Sequence, residues 1–127
     1  MNNTFCKEER LCSKILIDEL FSNSGDKIKF TEFPFVLIAK KTKLSTSFPA
    51  QMLVSVSKKK VKQAVKRNLI KRRTKEAYRL NKNKLYNYLT SKEENLILSF
   101  VYISNKPLPY QLIEEKIIVL LSRLTKE

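Results

Sequence analysis

The sequence predicts an α+β fold, a single domain spanning residues 1–127, and three observations carry that prediction. At 127 residues and 43% hydrophobic content, the chain has the length of one domain and enough apolar surface for a core without staples. Apolar residues recur at helical spacing in three segments and as short β-forming runs in three others. No internal repeat or linker-like stretch divides them, so helix, strand, strand, long helix, strand and helix, in that order, make one pair of packed layers.

Leu11, Ile15, Leu16, Leu20 and Phe21 trace a first amphipathic helix from about Lys7 to Ser22, closed by Ser22-Asn23-Ser24-Gly25-Asp26. Phe33, Phe35, Val36, Leu37, Ile38 and Ala39 form an apolar run interrupted by Pro34, which predicts a strand that starts at an edge or a bulge. After a polar loop from Lys41 to Pro49, Met52, Val54 and Val56 alternate with Leu53, Ser55 and Ser57. One face of this strand is apolar; the other becomes small and polar, and Ser55 and Ser57 leave room there for a ligand. No Pro or Gly interrupts Lys58 to Asn81, a long helix with Ser57 as its N-cap and Val61, Val65 and Leu69 as the stripe that docks on the sheet. Residues 82–95, around Leu85, Tyr86, Tyr88 and Leu89, read equally as more helix or as a packed loop. Leu96 to Ile103 is a nearly continuous apolar run and predicts an interior strand covered on both faces. Pro107 and Pro109 open a last helix, which packs the core through Leu112, Ile113, Ile117, Leu120, Leu121 and Leu124.

Composition excludes several classes of function. The chain has no histidine, which removes the usual general base, the Ser/His and Cys/His pairs and most zinc or haem sites. Its single glycine, Gly25, allows neither a Walker loop nor a GxGxxG turn. Cys6 and Cys12 lack metal-ligand or redox spacing and read as free thiols. The first ten residues lack the apolar core of a signal peptide, and no apolar run approaches the roughly 18 residues of a membrane span, so a cytoplasmic protein is expected.

The charge is concentrated. Of the formal +14, residues 33–90 supply +15 through 16 basic residues and one acid, while residues 1–32 carry −1 and residues 91–127 none. Residues 58–79 hold eleven Lys or Arg against the single acid Glu76. A solvated helix ordinarily interleaves opposite charges, whereas 58/62, 62/66, 67/71, 71/75 and 75/79 are like-charge pairs that cost stability. Lysines 58–60, placed after the expected N-cap, also oppose the helix dipole. A polyanion relieves both penalties, and nucleic acid is the leading candidate. At 100° per residue, Lys60, Ala64, Arg67, Lys71, Lys75 and Tyr78 share one side of this helix, with Asn68 and Arg72 adjoining.

Ser55-Val56-Ser57-Lys58-Lys59, Ala64-Val65-Lys66-Arg67-Asn68-Leu69-Ile70-Lys71-Arg72 and Glu76-Ala77-Tyr78-Arg79 together resemble the protein component of bacterial ribonuclease P. Phe5, Lys7-Glu8-Glu9-Arg10-Leu11, Leu20-Phe21 and Phe35-Val36-Leu37 extend the resemblance over nearly the whole chain. It implies an α/β sandwich with a small mixed sheet, its long basic helix in a left-handed strand-helix-strand crossover against the right-handed default. It also implies a subunit of an endoribonuclease whose catalytic RNA removes the 5′ leader of precursor tRNA by metal-assisted hydrolysis. No catalytic residue is then expected on this chain, and Mg2+ is expected mainly on the RNA, with none bound by the protein alone. The expected partners are the catalytic RNA and the precursor tRNA leader, with no membrane and no DNA. Lys58, Lys59, Lys62, Arg67, Asn68, Lys71, Arg72, Lys75 and Arg79 match the family's RNA-facing basic helix. Phe21 matches an aromatic of the family's leader cleft, and Ser55 and Ser57 are the further candidates for leader contact. Ile17 and Ile38 stand where relatives commonly carry an aromatic, and Leu69 replaces the last arginine of an Arg-Asn-Arg triplet, with Arg73 close enough to substitute.

Size, charge and an isoelectric point near 9.9 suit a structural ribosomal RNA-binding protein equally well; the motif spacing favours ribonuclease P. A DNA-binding helix is disfavoured, because so many cations among so few base-reading side chains would bind without sequence preference.

Overall fold

A computed structural model describes Phe5 and residues 7–22, 27–44 and 48–126. Cys6, Gly25 and the closing turn expected at residues 23–26 lie outside the described residues. The elements are a 3-10 turn (Lys7–Glu9), α1 (Lys14–Phe21), β1 (Ile28–Glu32), β2 (Phe35–Lys41), β3 (Ala50–Val56), α2 (Ala64–Asn81), α3 (Asn83–Ser91), β4 (Leu96–Tyr102) and α4 (Tyr110–Leu124). They build a four-stranded mixed sheet in the order β1-β2-β4-β3, in which β1/β2 and β2/β4 are antiparallel and β3/β4 parallel. The parallel pair is joined through α2 and α3, the helical crossover that parallel neighbours require.

β4 is the central hydrophobic strand, paired on both sides and buried along nearly its whole length, as its unbroken apolar run predicts. Leu37, Met52, Leu98 and Phe100 point to one face, where α2, α3 and α4 cover them with Ile70, Ala77, Tyr78, Leu85, Ile113 and Ile117. On the opposite face Ile38, Leu53 and Ile97 meet Leu11, Leu16, Ile17 and Leu20, so α1 adds a third layer to the expected pair. The positions departing from the family's aromatics, Ile17 and Ile38, both belong to this small cluster.

Several boundaries differ from the sequence expectation, each for a physical reason. The first helix starts at Lys14 because Ser13 caps it, its Oγ accepting from the Leu16 N–H at 3.4 Å. Before it, the chain runs beside β3: Arg10 forms a bridge to Met52, and the Leu11 N–H donates to the Met52 carbonyl at 3.0 Å. That segment covers an otherwise open sheet edge. Pro34 marks neither an edge nor a bulge; with Phe33 it turns the chain between β2 and β1, a strand whose Ile28 and Phe30 sit among polar residues too sparse to reveal it. Residues 83–91 are helical, burying Leu85, Tyr86 and Leu89, and Lys82 separates α3 from α2.

Lys82 and Glu9 are both buried and ion-paired, 73 residues apart in sequence. The Tyr86 hydroxyl donates to the same Glu9 Oε2 at 2.6 Å, and the Tyr78 hydroxyl donates to Tyr86 at 3.3 Å. Burial, foremost, pushes both tyrosines well above the usual phenol range.

Candidate nucleic-acid interface

Ser57 caps a turn, not the helix. Its Oγ accepts the Lys59 N–H at 3.1 Å, and its carbonyl accepts the Val61 N–H at 3.0 Å. Val61 is buried and anchors this turn, after which α2 begins with Gln63 at the N-cap position. Lysines 58–60 therefore lie outside the helix, and the expected conflict with its dipole does not arise for them. The Arg67 guanidinium folds back over the turn, Nη1 donating to the Val61 and Lys62 carbonyls at 2.9 and 2.8 Å. A cation in the RNA-facing set is thus also a structural clamp.

The docking face of α2 is Ile70, Thr74, Ala77 and Tyr78, in place of the expected 61/65/69 stripe. Val65 is 80% exposed, and Tyr78, expected beside the cations, is wholly buried. The periodicity was ambiguous because α2 carries so few apolar residues that two stripes fit its sequence equally well. With the core face so placed, Asn68, Arg72 and Lys75 are exposed and Lys71 is half-buried. Among the described residues these four side chains have no hydrogen-bond or ion partner, and neither do the side chains of Lys58, Lys59 and Lys62. Arg79 differs: Nε and Nη2 hold both oxygens of Glu76 at 2.7 Å, and that bidentate bond lowers the Glu76 pKa. Arg73 donates to the Leu108 carbonyl at 2.5 Å and lines the same groove as Asn68, Lys71, Arg72 and Lys75.

Asn68, Lys71, Arg72, Arg73, Lys75, Glu76 and Arg79 of α2 line an open groove of about 720 Å³ together with Phe5 and Tyr110. Sequence reading gave Tyr110 no role, since it stands at the start of a helix that otherwise packs the core; nothing in periodicity distinguishes it.

The leader candidates lie on the other face of the sheet, with α1. Ser55 forms a cross-strand row with Val101 and Val36, all half-exposed, and Ser57 follows β3 in the exposed turn. Phe21 ends α1 and is 43% exposed. Two residues before it, Glu19 is paired with Lys40 at 2.6 Å, which ties that end of α1 to a row four residues from Val36. The Glu19–Lys40 pair thus holds the Phe21 end of α1 against β2.

A helix carrying a row of cations over a small mixed sheet defines an α+β protein with a surface suited to a polyanion. The comparisons specify which: residues 5–125 match the family Ribonuclease P, and the chain belongs to that family. It is 33% identical over 108 residues to the ribonuclease P protein components of two strains of Porphyromonas gingivalis, a match covering 85% of this chain and 77% of each of theirs. The fold is similar to that of the Staphylococcus aureus RNase P protein, at TM-scores of 0.71 for a mutant and 0.70 for a second structure. Those matches have 18% and 17% identity, and cover 93% and 91% of this chain and 89% and 94% of the others. The chain is accordingly a protein subunit of an endoribonuclease holoenzyme that acts in tRNA processing, with an RNA partner. Among the described residues, no helix is long and apolar enough to cross a membrane.

Proposed function

We propose that α2 and the turn before it bind the catalytic RNA, while the α1 side of the sheet receives the 5′ leader of precursor tRNA in the cytoplasm. The row of Lys71, Arg72 and Lys75, without partners among the described residues, supports the first assignment: such charges on a folded surface are available for phosphate contacts and counterion release. Lys58, Lys59 and Lys62 extend the same charge over the turn, and Asn68, Arg67 and Arg79 complete it. For the leader, the exposed ring of Phe21 offers a stacking surface and the Ser55 and Ser57 positions leave the strip beside Val36 and Val101 open.

Hydrolysis is assigned to the RNA, with Mg2+ held mainly there. The chemistry of this groove does not suit a divalent cation, since its one carboxylate, Glu76, is occupied by Arg79 among positive neighbours. The deciding experiment is cleavage of a precursor tRNA at low Mg2+ by the protein alone, by bacterial ribonuclease P RNA alone and by the two mixed. Leader removal restored only in the mixture is expected; tight, salt-dependent binding without stimulation would instead favour a structural ribosomal RNA-binding role.

A further inference from the structure

The groove beside α2 has features that phosphate binding alone does not require. Its volume, about 720 Å³, falls in the range of small-ligand sites, and two aromatic rings form its wall. The Phe5 ring stands edge-on to buried Tyr78, with centroids 5.8 Å apart and planes at 84°. Tyr110 donates its hydroxyl to Glu114 Oε2 at 3.3 Å, and the same oxygen accepts from Asn81 Nδ2 at 3.1 Å, so the ring is oriented from behind. Asn68 lines the same groove beside Lys71, Arg72 and Lys75, and its amide has no hydrogen-bond partner among the described residues. A flat ring, a free amide and cations together match the three parts of a nucleotide: base face, base edge and phosphate.

We propose that this groove takes one unpaired nucleotide of the catalytic RNA, its base stacked on Tyr110 against the Phe5 wall, its edge meeting Asn68 and its phosphates on Lys71, Arg72 and Lys75. A paired base cannot occupy it, because its faces are already stacked within the duplex. The RNA subunit is the source, and not the leader, because Phe5, α2 and α4 pack on the sheet face opposite the one covered by α1. The inference rests on the proposed RNA-binding role of α2.

The test is the affinity of the full chain for bacterial ribonuclease P RNA over a range of salt concentrations, with thermal melting of every variant. Tyr110→Leu is expected to weaken binding roughly five- to a hundredfold without changing the salt slope, while Tyr110→Phe, which keeps the ring but loses the bond to Glu114, restores most of that loss. Should Tyr110→Leu fail to fold, Phe5→Leu on the same wall is expected to weaken binding at least about fivefold. Native affinity in the folded leucine variant, alongside a lowered salt slope in Lys71→Gln/Lys75→Gln, overturns the groove while leaving the cationic face standing. Absence of salt-dependent binding by the native chain overturns the face itself. A loss seen only with leader-bearing precursor overturns the assignment to the RNA subunit.

Discussion

Two lysine environments in this protein are opposites. Lys82 is buried, ion-paired to Glu9 and packed 5.2 Å from the Tyr86 ring centroid, whereas Lys71 and Lys75, a few residues earlier, have no partner among the described residues. The first is part of the architecture, joining the N-terminal segment to the α2–α3 junction. The second pair leaves its charge available to a polyanion. Total charge therefore overstates the interface: a buried, ion-paired lysine such as Lys82 adds nothing to it.

The largest expected effect comes from breaking the buried pair. Lys82→Met leaves the Glu9 carboxylate buried without its ammonium and is expected to cost about 3–5 kcal/mol in urea unfolding, with RNA affinity of the folded fraction unchanged. A Glu9→Leu/Lys82→Met double variant is expected to regain part of that loss, which a double-mutant cycle measures. Next is Arg67, which stands between the two environments. Arg67→Ala removes the donor to two turn carbonyls and is expected to cost about 1–3 kcal/mol while also weakening RNA binding.

For Lys71→Gln/Lys75→Gln the order of effects reverses. The salt slope of RNA binding is expected to fall by about one per lysine. The melting temperature is expected to hold or rise slightly, because like-charge pairs one turn apart disappear. A fall in melting temperature as large as that of Lys82→Met would erase the contrast between the two environments.

Alkaline pH probes the buried cluster specifically. Tyr78 and Tyr86 have pKa values raised above the ordinary 10.0, so the stability they confer is complete below pH 10 and is lost as rising pH ionises them in the unfolded chain first. Tyr86→Phe is expected to make the decline above pH 10 shallower in pH-dependent unfolding. The smallest effect is at Ser99, whose buried hydroxyl has no partner among the described residues. Ser99→Ala is expected to shift the unfolding free energy by less than about 1 kcal/mol, in the stabilising direction.

How far the molecule could be read in advance depended on how strong each local signal was. β4 and α4 were legible because long apolar stretches have one good burial, and the basic segment was legible as charge alone. α2 was placed as an element but rotated wrongly, since Val65 and Ile70 suit a docking stripe equally until the sheet selects one. β1 was missed because its inward positions are Ile28, Phe30 and Glu32, so the alternation has only two apolar members. In the interface, the cations of α2 were found by type and spacing; the diversion of Arg73 to Leu108 and the arrival of Tyr110 beside Asn68 were not, because each joins distant parts of the chain.

By itself the sequence determined the fold class, the concentration of charge in one segment and, through motif spacing, the family, since these depend on local composition and order. Only the tertiary structure decided which lysines are free, where α2 starts and which of its faces is buried. Those outcomes depend on long-range partners: Glu9 lies 73 residues from Lys82, and Leu108 lies 35 from Arg73. Local spacing carries no record of contacts at that range, so whether a cation binds RNA or the protein's own interior is settled only when the chain packs against itself.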